Sequence, residues 1–236
     1  WQRTLIGLAQ ETAAVAAATH PKARIWISNQ GFVPAENESL YAYIRKNRPR
    51  WLGGLVYGPW AHETLGSMRA RLHRDYPIRH YPDITHTVRC QYPVRDWDVA
   101  FALTMDREPP VYMISDHAHI ARSTLASTVG AITYSDGVND DMHKAVWSAI
   151  LWDPNASAER IARDYARCYF GADSETSGAR GLLGLESNWR GSPARTASLA
   201  GTAALWPWMS VRHRSALEGH WRGQRALLRA QYDPCG

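Results

Sequence analysis

The chain has 236 residues, 45% of them hydrophobic and 21% charged, with a net charge of +5. That balance supports one good core or two small ones and excludes a globally disordered chain. No apolar run reaches the ~18–20 residues of a membrane span, and Cys90, Cys168 and Cys235 lack the CxxC spacing of a zinc site or the even count of a disulfide framework.

Residues Gln2–Thr19 are Ala-rich with helical apolar spacing, and His20-Pro21 stops that helix. Ala23–Phe32 (ARIWISNQGF) reads as a buried parallel strand that ends in Ser28, Asn29 and Gln30. Glu38–Asn47 is the next helix and Trp51–Trp60 (WLGGLVYGPW) the next strand, ending in Tyr57, Gly58 and Trp60. A helix over His62–Asp75 and a strand over Pro77–Cys90, with Asp83, Thr85 and His86 at its end, follow. Beyond an irregular Pro-rich stretch, a helix covers His117–Val129. A last strand at Ile132 opens into a polar loop holding Tyr134, Ser135, Asp136, Asn139, Asp140 and Asp141, and then a Trp-rich helix. Ala158–Phe170 is an amphipathic helix, Gly171–Gly191 reads as a Gly/Ser-rich connection, and two helices fill Ala194–Ala230.

Alternating helices and strands imply parallel strands joined by crossovers. The expected fold is α/β: the last four strands of a (β/α)8 TIM barrel over residues 1–170, then a helical extension over 171–236. A doubly wound open sheet is the alternative, but GLVYGPW lacks the Gly-rich phosphate turn of nucleotide-binding members. Trp1 at the start and Asp233-Pro-Cys-Gly at the end suggest a piece of a longer polypeptide, whose remainder supplies the missing half barrel. An isolated half barrel, with its sheet edges unpaired, is expected to be prone to aggregation.

In a barrel the strand ends meet on one face. That face gathers Asn29 and Gln30, Tyr57 and Trp60, Asp83 and His86, and Tyr134, Asp136, Asn139 and Asp140. Carboxylates, amides and aromatic rings in one place suit sugar hydroxyls and the flat C–H face of a pyranose. Most of the 11 tryptophans read as packing residues, Trp26 inside its strand among them, and the rest, Trp60 at the rim first, as sugar platforms. Each residue also has a structural reading: Asp136-Gly137 is a turn pair, Asn139 or Asp140 suits a helix N-cap, Asp83 can order its loop, and His86 can be a buried, satisfied imidazole. Asp83 and Asp136 end neighbouring strands, so their carboxyls are placed for the ~5–9 Å separation of glycosidase pairs.

Other chemistries find less support. His117 and His119 form a HAH tripeptide on a helical segment with no third ligand nearby. His62-Glu63 lacks the second His of a zincin, and Ser135 lacks a nucleophile elbow. The densest basic run, Arg45–Arg50 (RKNRPR), suits a solvated helix end better than a phosphate patch, and no nucleic-acid partner is indicated. No cofactor or metal is implied.

The segments YSDGVNDDMHKAVWSAILWDP, RDYARCYFG, ESNWRG and HWRGQRALLRAQYD resemble a group of large bacterial proteins. Their central domain is similar to the TIM barrel of hexosaminidase-type glycoside hydrolases, with helices following it. The resemblance runs from Ala23 onward and is strongest over Gly130–Gly171. It implies a retaining, substrate-assisted hydrolase acting on N-acetylated sugars, with an acidic pair at the fourth strand's end. No such pair ends an early strand here, so the resemblance implies a fourth strand upstream and makes this chain the substrate-binding half. A non-catalytic carbohydrate-binding or scaffold domain is the alternative. An extracytoplasmic location is favoured.

Overall fold

The computed structural model describes residues 2–85, 112–135, 141–188 and 198–235. Contacts divide the chain into two compact units, residues 1–83 with 123–134 and residues 84–122 with 135–236.

The first unit opens with helix α1 (Gln2–Thr19). Ile6, Ala9 and Ala13 form its buried stripe, at the spacing that keeps side chains on one helix face. Strand β1 (Ile25–Ser28), helix α2 (Pro34–Asn47), strand β2 (Leu52–Tyr57), helix α3 (Leu65–Arg71) and strand β3 (Ile78–His80) follow. The strands form a parallel sheet in the order β1-β2-β3, with Ile27 opposite Leu55 and Leu55 opposite Ile78. An isolated parallel bridge from His80 to Ala131 continues beyond β3. Leu40, Tyr41 and Ile44 of α2 and Met68 of α3 pack with Ile27, Leu55 and Ile78 into the core. At ~1.5–3 kcal/mol per buried large side chain, this cluster is the unit's main stabilising term.

Local chemistry sets the helix ends. Pro34 occupies the first turn of α2, where its missing N–H costs nothing, and the Glu36 carboxylate accepts from the Val33 N–H at 3.0 Å. Thr64 caps α3 by accepting from the Ser67 N–H at 3.1 Å.

The second unit is helical among its described residues, apart from strand ends. Helix α4 (Ile114–Leu125) lies mostly within it, and α5 (Asp141–Trp152), α6 (Ala158–Phe170), α7 (Glu175–Ser187), α8 (Ser198–Arg212), α9 (Arg214–Leu217) and α10 (Trp221–Tyr232) complete it. Trp147, Ile150, Phe170, Leu182 and Trp206 are buried, with Phe170 edge-on to Trp206 at 5.9 Å. Asp141 ties three helices: it accepts from Arg222 of α10 at 2.6 and 2.7 Å and from the Tyr165 hydroxyl of α6 at 2.6 Å.

These observations overturn the partial TIM barrel. Helix makes up 65% of the described structure, and the described strands form only small parallel sheets of three and two strands. Strand β4 (Asp83–Thr85) pairs with β5 (Tyr134–Ser135) in the smaller sheet. Proline explains part of the difference. The segment expected as one strand from Pro77 is cut at Pro82, which has no N–H to give a ladder, so β3 ends at His80 and β4 starts afresh. The strand expected at Ile132 holds only Tyr134 and Ser135 among the described residues.

The connection expected over Gly171–Gly191 is also corrected, because α7 occupies Glu175–Ser187. Its glycines serve packing. A Cβ on Gly178 would meet Ala166 at 2.7 Å, one on Gly181 the Trp206 ring at 2.9 Å, and one on Gly184 the Thr202 hydroxyl at 2.7 Å. Spacing of three keeps these positions near one another on the helix, where neighbouring helices approach closely.

Candidate functional site

The site lies at the C-terminal edge of β1, β2 and β3, within the first unit. Each strand delivers its last side chains there because parallel strands all point the same way. Strand β1 brings Ser28, Asn29 and Gln30; β2 brings Tyr57 and Gly58; β3 brings His80 and Tyr81.

Gly58 is where these strand ends crowd together. A methyl group on it would stand 3.2 Å from Gln30 Oε1 and 3.5 Å from both Ser28 Oγ and Tyr81 Cδ1. A side chain there would ask the end of Gln30 to give by a few tenths of an ångström, while Ser28 and Tyr81 would meet it at ordinary contact distance. The backbone stitches the loops: Gly31 N–H donates to the Trp60 carbonyl at 3.2 Å, and Tyr81 N–H to the Tyr57 carbonyl at 2.8 Å. Tyr57 lies 5.7 Å from the His80 ring, and Tyr81 stands edge-on to Tyr134 at 6.2 Å. Tyr134 is anchored by its N–H to the Pro82 carbonyl at 3.0 Å.

Trp60 stands out on this edge. It is 50% exposed and adopts φ 58°, the left-handed region that costs a side-chain-bearing residue about 1 kcal/mol or more. Half of the indole surface is therefore open to solvent at the rim.

A buried polar cluster holds the Trp60 loop in place. Glu63, 5% exposed at its side chain, accepts from Asn29 Nδ2 at 3.0 Å, from Arg71 at 3.2 Å and from the Tyr41 hydroxyl through a short bond. Asn29 and Tyr41 are themselves fully buried. Burial, and then the bond to Glu63, push the Tyr41 hydroxyl far above its ordinary pKa, so it stays protonated and donates to that carboxylate. Arg71 also bonds Glu38 and lies over the Tyr41 ring at 4.8 Å. The cluster joins α2, α3 and both loops, and all of its acid capacity is engaged.

The residues expected at the site divide three ways. Gln30, Tyr57, Trp60 and Tyr134 lie on the edge, with Tyr134 37% exposed. Asn29 sits beneath it, buried against Glu63. Asp83 is half-buried at the start of β4. Asp136, His86, Asn139 and Asp140 lie outside the described residues.

Sequence reasoning missed His80, Tyr81 and the Glu63 support. Pro82 was the available signal for the first two, because a proline marks the preceding residues as a strand end. Nothing local signals Glu63, whose partners lie 8 to 34 residues away.

Burial lowers the His80 pKa to about 4, so its imidazole is neutral at ordinary pH and able both to donate and to accept. Among the described residues no group of His, Cys, Asp and Glu has metal-site geometry. Of the HAH pair, His117 is buried and accepts from the Trp147 indole at 3.0 Å, while His119 is exposed. No helix among the described residues is long and apolar enough to cross a membrane. Aromatic faces, an amide and neutral hydroxyls on one edge form a surface suited to a flat, hydroxyl-rich ligand.

No family model, curated protein or solved structure matches the chain. The likeness to hexosaminidase-type proteins therefore rests on its quoted segments alone.

Proposed function

We propose that this chain recognises carbohydrate through the C-terminal edge of β1, β2 and β3. The observation that carries the reading is Trp60, half-exposed in a left-handed backbone conformation, on a loop pinned to the end of β1. Its indole offers a platform for a pyranose face, and Tyr57, Tyr81 and Tyr134 extend the aromatic surface. Gln30 and His80 supply neutral hydrogen-bonding groups for hydroxyl or acetamido substituents.

Titration calorimetry with N-acetylated and plain oligosaccharides tests this. Trp60→Ala is expected to weaken binding about tenfold or more, the ~1–2 kcal/mol carried by an aromatic contact, while the melting temperature holds. Unchanged affinity would remove Trp60 from the site.

Glycosidic-bond hydrolysis is the second reading. It is favoured by Asp83, half-buried at the start of β4 where that strand pairs with β5 (Tyr134–Ser135); Asp136 enters from the sequence alone. Asp83→Asn and Asp136→Asn are then each expected to cut turnover about a hundredfold. Turnover unaffected by both exchanges would leave binding as the function.

A further inference from the structure

The opposite ends of these parallel elements present a different surface. Helix α2 and helix α3 both finish beside a groove of about 490 Å³ lined by Arg45, Arg48, Arg69, Arg71, His73 and Arg74. The sequence shows only the Arg45–Arg50 run; the fold adds three arginines from a second helix and its following turn.

The arginines are not equivalent. Arg69 donates to the Tyr76, Leu72 and His73 carbonyls at 2.9 to 3.1 Å, closing the end of α3. Arg71 is shared between Glu38 and Glu63, and Arg45 reaches Glu38 at 3.1 Å. These three are fixed and supply field rather than free donors. Arg48 and Arg74 differ. Arg48 uses only its Nε, on the Arg45 carbonyl at 3.0 Å, leaving its two terminal nitrogens for another partner. The Arg74 side chain is 93% exposed and only 4.0 Å from a single carboxylate oxygen of Asp75.

The charge does not cancel locally. Five arginines are set against Glu38, Glu63 and Asp75, an excess of two positive charges before His73 is counted. Helix C-termini favour cations, which accounts for Arg69 and the Arg48 Nε but not for the remaining donors. Arg48 moreover takes φ 45° at the C-cap of α2, a position where Gly or Asn is the unstrained choice.

We propose that this groove binds a small, multiply charged phosphate anion, with Arg48 and Arg74 making the direct contacts. Guanidinium forks match phosphate oxygens two at a time, and the fixed arginines behind them hold the potential positive. The two direct contacts, Arg48 and Arg74, take no part in the sugar-binding reading; Arg71 is shared between the two surfaces, through its bond to Glu63.

Inorganic pyrophosphate, titrated calorimetrically into the whole chain at low ionic strength, is the probe. Arg48→Gly keeps a left-handed C-cap without strain, so it removes the guanidinium while preserving the fold. The unaltered chain is expected to bind, and Arg48→Gly combined with Arg74→Gln is expected to lose about tenfold or more in affinity at an undiminished melting temperature. Arg212→Gln, at an exposed position at the end of α8, is expected to change nothing. Three results would overturn the proposal: no binding at millimolar pyrophosphate, equal weakening by Arg212→Gln, or a short oligoribonucleotide that displaces pyrophosphate and binds the double variant undiminished.

Discussion

The guanidinium of Arg79 lies 3.9 Å from the centre of the Trp26 indole, across the β1-β2-β3 sheet. Trp26 sits opposite Gly54, and its ring spreads over Gly53 and Gly54 of β2. A Cβ on Gly53 would fall 2.6 Å from the indole Nε1, and one on Gly54 would collide with the Pro77 carbonyl and come 2.5 Å from the ring. Gly54→Ala is therefore expected to destabilise the first unit by roughly 2–4 kcal/mol, because backbone must move to admit the methyl. Arg79→Ala should cost only about 0.5–1 kcal/mol, the worth of an exposed cation–π contact. Urea unfolding of both variants checks the order; a harmless Gly54→Ala would mean the ring does not lie across the glycines.

Glu63 is expected to matter more than its loop position suggests. Glu63→Ala leaves the buried Tyr41 hydroxyl and Asn29 amide short of their shared acceptor, while Arg71 keeps Glu38, and should cost about 3 kcal/mol, the usual penalty for unsatisfied buried donors. Because the same carboxylate pins the loop carrying Trp60, sugar affinity should fall with it. Denaturation and calorimetry on one preparation check both. Stability lost without any change in affinity would separate the cluster from the site.

Acid should destabilise the chain through its buried histidines. Burial lowers both His80 and His117 to about 4, below the ordinary ~6.5 of the unfolded chain. His117 Nδ1 accepts from Trp147, and its ring stacks on His143 at 4.0 Å, so protonation breaks that arrangement. A depressed folded pKa means full stability above ~6.5, lost progressively as the pH falls toward 4. Each histidine then costs roughly 2 kcal/mol at pH 5 relative to pH 7.5. Urea midpoints at the two pH values measure the sum, and a midpoint that does not move would show both imidazoles solvated.

Gly181→Ala should weaken the packing of α7 against α8. The added methyl meets the buried Trp206 indole, which also donates to the Gly181 carbonyl at 3.4 Å. A loss of about 1–3 kcal/mol, with a changed tryptophan emission, is the expected result. Improved stability, as for alanine at an open helix position, would contradict the close approach.

Much of the first unit was legible because its signals are local. Ile25-Trp26-Ile27 and the His20-Pro21 stop announce their elements within a few residues. The rim followed wherever a strand end was visible, as at Gln30, Tyr57 and Trp60. What failed was non-local. A run of β-α units does not state how many strands close a sheet, so the barrel was an extrapolation from Asp83 and Tyr134. Gly178, Gly181 and Gly184 read as loop residues because glycine disfavours helix in isolation, and only contact with Ala166, Trp206 and Thr202 explains them. Asn29 looked like a ligand-facing amide until its partner Glu63 placed it underground.

Calorimetric titration of a panel of N-acetylated oligosaccharides against the unaltered chain and Trp60→Ala bears most directly on the carbohydrate reading. The account predicts saturable binding of at least one sugar, with affinity lowered about tenfold in a variant that melts like its parent. Sugars that fail to bind at all, or bind both proteins alike, would contradict it.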